Sequence, residues 1–122
     1  MLTKWLPQYE TSLADYPVWD GETLTLLMGD KPEIHRRLLE KFLLKARQRI
    51  DEVRLAQGDR EVINHALHAL KSAARTVGAL RLGELCQVME EGGMSVMDLN
   101  EAFVAVECVI KTILQSRSAA SA

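Results

Sequence analysis

The chain has 122 residues, 48% apolar and 26% charged, which suits one packed domain and excludes a disordered chain. With 15 basic and 17 acidic side chains the formal charge is −2, so charge favours neither nucleic acid nor an anionic membrane surface as a partner. No apolar run nears the roughly 18 residues of a spanning helix, and Met1 opens no signal-peptide pattern.

All three prolines fall within the first 32 residues, and Trp5, Tyr9, Tyr16 and Trp19 lie in the first 20. This marks an irregular N-terminal arm ahead of a Leu-, Ala-, Glu- and Arg-rich helical body. Asp20 is placed to cap a short helix over Glu22 to Met28. Gly29-Asp30 stops it, and Asp30 is expected to cap a long helix with Pro32 in its first turn, reaching about Gln57. Ile34, Leu38, Leu39, Phe42, Leu43, Ala46, Ile50 and Val53 recur on one side of it at helical spacing. Gly58 ends that helix, and Asp59 caps a third that runs to about Val77, before Gly78. Its apolar stripe holds Ile63, Ala66, Leu67, Leu70, Ala73, Ala74 and Val77. A fourth helix covers about Leu80 to Glu91, with Leu82, Leu85, Cys86 and Met89 inward, and Gly92-Gly93 breaks it. After a cap at Asp98, a last helix carries Leu99, Phe103, Val106, Val109, Ile110 and Ile113 to about Gln115. Four long amphipathic helices on short loops predict an all-α, antiparallel four-helix bundle, with the short N-terminal helix across one end.

The polar side of the third helix is informative. At about 100° per residue, His68 stands opposite Leu70 and Val77. Lys71 and Ser72 follow one turn later, and Arg75 shares the same side. A free imidazole is largely an unprotonated nucleophile at neutral pH. A cation at i+3 can neutralise an anion attached to the ring, and a small residue at i+4 leaves clearance. Together they describe a place where a large anion is received and handed on.

His68-Ala-Leu-Lys-Ser-Ala-Ala-Arg-Thr-Val-Gly78-Ala79, followed by Leu82, Leu85 and Cys86, closely resembles the signature of histidine-containing phosphotransfer (HPt) domains. That pattern is His-x-Leu-Lys-(Gly or Ser), a small residue, then Gly-Ala ten and eleven residues after the His. Leu26-Leu-Met-Gly-Asp30 and Gly58-Asp59 also look like that family. The resemblance implies an arm or linker over 1–19, an HPt bundle over 20–116 and a frayed tail over 117–122. It further implies that His68 accepts a phosphoryl group from an aspartyl phosphate on a receiver domain and passes it to the aspartate of another receiver. Nε2 is the expected nucleophile. Lys71 would stabilise the phosphoryl charge, Ser72 would give the receiver room, and Gly78 would let the third and fourth helices pack closely. Glu90, twenty-two residues after His68, is expected to bond the other ring nitrogen and fix the tautomer. Arg75 is expected to add positive potential.

The remaining candidates are expected to be plain. His65 and His68 share a face, but no third metal ligand is evident, so no metal site is expected. His35 is expected to be solvated, Cys86 to be a small core residue, and Cys108 to be packed. The two cysteines form no CxxC pair and fit a reducing, cytoplasmic compartment. There is no GxxxxGK(S/T) loop, no kinase-like glycine pattern and no acidic cluster for Mg²⁺. No cofactor and no autokinase activity are therefore expected, Mg²⁺ belonging to the receiver partner by resemblance. The implied partners are the receivers of a hybrid kinase and of a response regulator, met by a monomer. Leu2-Thr-Lys-Trp-Leu-Pro7 resembles the end of a receiver's last helix, which suggests the C-terminal module of a bacterial hybrid sensor histidine kinase, the cytoplasmic end of an inner-membrane parent. The competing reading is a helical docking module that binds a receiver or kinase without being phosphorylated. The His68, Lys71, Ser72 and Gly78 set argues against it, since docking alone needs none of them.

Overall fold

The computed structural model describes residues 13, 15–92 and 96–121, with backbone alone at 96, 97 and 117–121. The resemblance at Leu2 to Pro7, and Gly93 of the expected helix break, lie outside the described residues. The described chain is all helical, with no strand: α1 Glu22–Met28, α2 Pro32–Leu55, α3 Arg60–Val77, α4 Leu80–Glu90 and α5 Val96–Ser121. The longer helices close a ring of contacts, α2 on α3, α3 on α4, α4 on α5 and α5 back on α2, while α1 touches α3. No described helix is long and apolar enough to cross a membrane.

The ends of these helices follow local chemistry, with corrections. Asp20 does not occupy the cap of α1: Gly21 does, and Asp20, one residue earlier, accepts from the Glu22 amide through Oδ1 at 3.0 Å. Asp59 caps α3 through the Val62 amide at 3.4 Å. Asp30 does not cap α2: Lys31 occupies that position and no side chain bonds there. His35 secures the turn instead. Its Nε2–H donates to the Gly29 carbonyl at 2.8 Å, and the residue is 4% exposed rather than solvated. The ring lies on the inward side of α2, where a buried polar group needs such a partner. The last helix begins at Val96, so Asp98 sits inside its first turn, and its backbone stays helical to Ser121, beyond the expected end near Gln115.

The core is built by the stripes read from periodicity. Leu39, Phe42, Ala46, Ile50 and Val53 of α2 meet Ala66, Leu67, Leu70 and Ala74 of α3, Leu82, Leu85, Cys86 and Met89 of α4, and Leu99, Phe103, Val106 and Ile110 of α5. Burying each Leu, Ile, Val, Phe or Met of this set contributes about 1.5–3 kcal/mol before entropy is counted. Ile34 is an exception, exposed at the start of α2. Cys108 is also exposed, not packed, because it falls between the inward positions Val106 and Ile110.

Residues 16–20 are tied to the α3–α4 turn. Trp19 Nε1–H donates to the Val77 carbonyl at 2.9 Å, and the Asp20 amide donates to Gly78 O at 2.7 Å. Arg81 holds the carbonyls of Tyr16, through Nε at 2.8 Å, and of Pro17, through its amide at 3.0 Å. The Trp19 and Asp20 bonds take up carbonyls at the end of α3 that the helix itself leaves without partners.

Candidate functional site

His68 stands near the middle of α3 on the side away from the core, its side chain 71% exposed. Leu70 and Val77, on the opposite side, are buried. Helix periodicity alone therefore lifts the ring into solvent. Ser72 and Arg75 are exposed beside it, and so is His65.

Lys71 does not stand in water with them. Its side chain is 11% exposed, and Nζ donates to Glu90 Oε2 at 2.9 Å and to Gln87 Oε1 at 3.0 Å. Three residues of helix turn Lys71 about 60° from His68 toward the flank of Leu67 and Ala74. Those two residues are fully buried, and α4 packs along this helix. Cysteine chemistry on this flank is quiet. Burial, and next the nearby Glu90 charge, push the Cys86 thiol up from 9.0 to about 12, so it stays protonated and inert.

Glu90 connects the two elements. Its Oε1 lies 3.8 Å from His68 Nδ1, longer than a hydrogen bond. That oxygen is buried and has no hydrogen-bond partner among the described residues. Its other oxygen is occupied by Lys71. The end of α4 is held by Arg60 at the start of α3, whose Nη2 donates to Met89 O at 2.9 Å and Glu90 O at 3.2 Å. A cation on the last carbonyls of a helix satisfies its free acceptors and its dipole together, and here it fixes the backbone that carries Glu90.

Sequence reasoning missed Gln87 and Arg60. Gln87 lies one turn before Glu90 on the same face of α4, and that spacing was the available signal. Its Nε2 donates to Glu91 Oε1 at 2.9 Å.

The close packing expected of Gly78 falls to a second glycine. Gly78 is left-handed, φ +95°, and a Cβ there would collide with the Asp20 carbonyl oxygen. Its smallness serves the N-terminal segment. Close approach of α3 and α4 rests on Gly83, where a Cβ would come within 3.0 Å of Arg75 Cγ and 3.8 Å of Ala74 Cβ. Arg75 lies across that gap, with Nη2 3.9 Å from Glu84 Oε2.

No group of three or more His, Cys, Asp or Glu placed to hold a metal ion occurs among the described residues. The arrangement is an open imidazole backed by a carboxylate, with a restrained ammonium on the same carboxylate. It can orient a nucleophile and screen an anion. A family model described as Hpt domain matches residues 37–119. No curated protein and no solved structure matches the chain.

Proposed function

The chain belongs to the Hpt domain family, whose members work in phosphorelay signalling with receiver domains, and we propose that His68 is the residue through which it relays the phosphoryl group. Nε2 attacks the phosphorus of a receiver's aspartyl phosphate. The P–O bond to that carboxylate breaks as the P–N bond forms, and the carboxylate leaves. The reverse sequence delivers the group to another receiver aspartate. As the site closes on a receiver, Nδ1–H comes to donate to Glu90 Oε1, which selects the tautomer with a free lone pair on Nε2. Lys71 stabilises charge on the phosphoryl oxygens, Ser72 leaves clearance, and Arg75 adds positive potential. Any Mg²⁺ sits on the receiver. The scaffold is an antiparallel four-helix bundle over 20–116, acting as the C-terminal module of a hybrid kinase, the latter by the resemblance at Leu2 to Pro7.

One observation carries this reading. The only buried side-chain oxygen without a partner among the described residues, Glu90 Oε1, lies 3.8 Å from Nδ1 of the exposed His68. A closure of about 0.8 Å makes it a hydrogen bond, and such bonds commonly tighten only when the reacting partner binds.

Incubation with a phosphorylated receiver and radiolabel tracking tests it. Acid-labile, alkali-stable label on the chain, lost in His68→Gln with helical content intact, is the expected result. Label retained in His68→Gln and lost in His65→Gln moves the site. A chain that binds the receiver and never takes label is a docking module only.

A further inference from the structure

Gln87 is part of the contact that restrains Lys71, and its role deepens the reading of His68 just given and rests on it. An ammonium has three N–H donors and no acceptor. Two of those on Lys71 are taken, by Glu90 Oε2 at 2.9 Å and Gln87 Oε1 at 3.0 Å. The Gln87 amide is fixed in this sense from its other end, since its Nε2 donates to Glu91 Oε1 at 2.9 Å. A flipped amide would present N–H to an ammonium and oxygen to a carboxylate, losing both bonds. The order of contacts is therefore Glu91, Gln87, Lys71, Glu90 and then His68.

We infer that Gln87 is a positioning residue for phosphoryl transfer: its carbonyl oxygen shares the Lys71 ammonium with Glu90 and leaves the third N–H for the phosphoryl oxygens. The lysine stem is four carbons long and flexible. With Glu90 as its one remaining partner, the ammonium is free to swing about that carboxylate. A second acceptor on α4 removes this freedom, and a donor already in place needs no reorganisation as charge develops. The same restraint acts on Glu90. Lys71 occupies Oε2, which leaves Oε1 as the oxygen nearest the His68 ring.

The test compares the parent chain with Gln87→Met and with the double variant Gln87→Glu, Glu91→Gln. The double variant exchanges donor and acceptor between the two positions and conserves net charge, so position 87 still offers an oxygen to Lys71 and still bonds position 91. Each protein is mixed with a phosphorylated receiver, and the rate of label transfer, the receiver affinity and the far-UV circular dichroism are measured. The ¹⁵N signal of the Lys71 ammonium is recorded in the absence of receiver. Gln87→Met is expected to slow transfer at least about tenfold, the lower end of the weight of one hydrogen bond to a charged group, with affinity and helicity unchanged. Its ammonium signal should broaden through faster exchange with water. The double variant should return both readouts to within about twofold of the parent. Transfer at the parent rate in Gln87→Met, or slowed transfer that the double variant does not restore, overturns the inference. Failure of the parent chain to take label refutes the reading of His68 instead. The ammonium signal needs no transfer, so an unchanged signal in Gln87→Met then overturns the role of Gln87 separately.

Discussion

Removing the Lys71 ammonium leaves the half-buried Glu90 carboxylate without the partner of its Oε2. Lys71→Ala is therefore expected to lower unfolding stability by about 1–3 kcal/mol in urea titration, as well as slow transfer. Arg54→Ala, which breaks an exposed pair with Asp51, should change stability by less than about 0.5 kcal/mol. Equal losses in the two variants would show that Lys71 is an ordinary surface lysine. Cys86 carries the pH prediction. Its folded thiol titrates at about 12 against 9.0 unfolded, so the folded state holds the proton more tightly. That contribution is fully present below pH 9 and is lost as pH rises through the folded value. Stability should fall by up to about 4 kcal/mol over that window from this group. The decline should be shallower in Cys86→Ala by that amount. Parallel curves for the two proteins above pH 9 would contradict it.

Among the elements, the α3–α4 turn is the most constrained. Gly58 and Gly78 both have positive φ, at +83° and +95°. A Cβ at Gly58 meets nothing within 4 Å, while one at Gly78 strikes the Asp20 carbonyl oxygen. Gly58→Ala bears only left-handed strain, about 1 kcal/mol. Gly78→Ala adds a collision with backbone and threatens the Asp20 and Trp19 bonds to the end of α3, so it should cost at least about 2 kcal/mol more. Urea midpoints read the difference, and Trp19 fluorescence should report release of the segment in Gly78→Ala alone. Similar midpoints for the two variants would mean the Asp20 contact yields easily.

At the scale of the whole molecule, α1 leaves its apolar side only partly used. Leu24 is buried, while Leu26 is 82% and Leu27 62% exposed. Exposed leucines on a helix that touches α3 form an apolar patch of the kind that marks an interaction surface, here one for a receiver. The double variant Leu26→Ser, Leu27→Ser should weaken receiver binding about tenfold by calorimetry and leave the urea midpoint in place. Ser72→Arg places a long side chain one turn from His68, where the proposed transfer needs the phosphorus within reach of the ring. Transfer should fall at least about tenfold with the fold unchanged, because near-attack geometry tolerates little displacement. Parent-rate transfer by Ser72→Arg would send the receiver to another face.

Periodicity, caps and breakers were enough to place the helices and most of the core. Leu39, Phe42, Leu67, Leu70, Leu82 and Phe103 are all inside, as their spacing requires, and α1 and the cap at Asp59 follow from local residue chemistry. The exposure of His68 was legible for the same reason, since one helix's own rotation sets it opposite Leu70 and Val77. What periodicity cannot supply is which neighbour covers a flank. Lys71 is only about 60° from His68 on the wheel, yet α4 covers it and supplies Glu90 and Gln87 as partners. His35 looked like a solvated histidine because its acceptor, the Gly29 carbonyl, is backbone and carries no sequence signature. The motif assigns Gly78 to a contact between α3 and α4, whereas the approaching chain is Asp20, distant in sequence. A single helix's faces are set by 3.6 residues per turn, which sequence records directly. The partners on those faces are set by how separate helices and the N-terminal segment pack, and only the tertiary structure decides that.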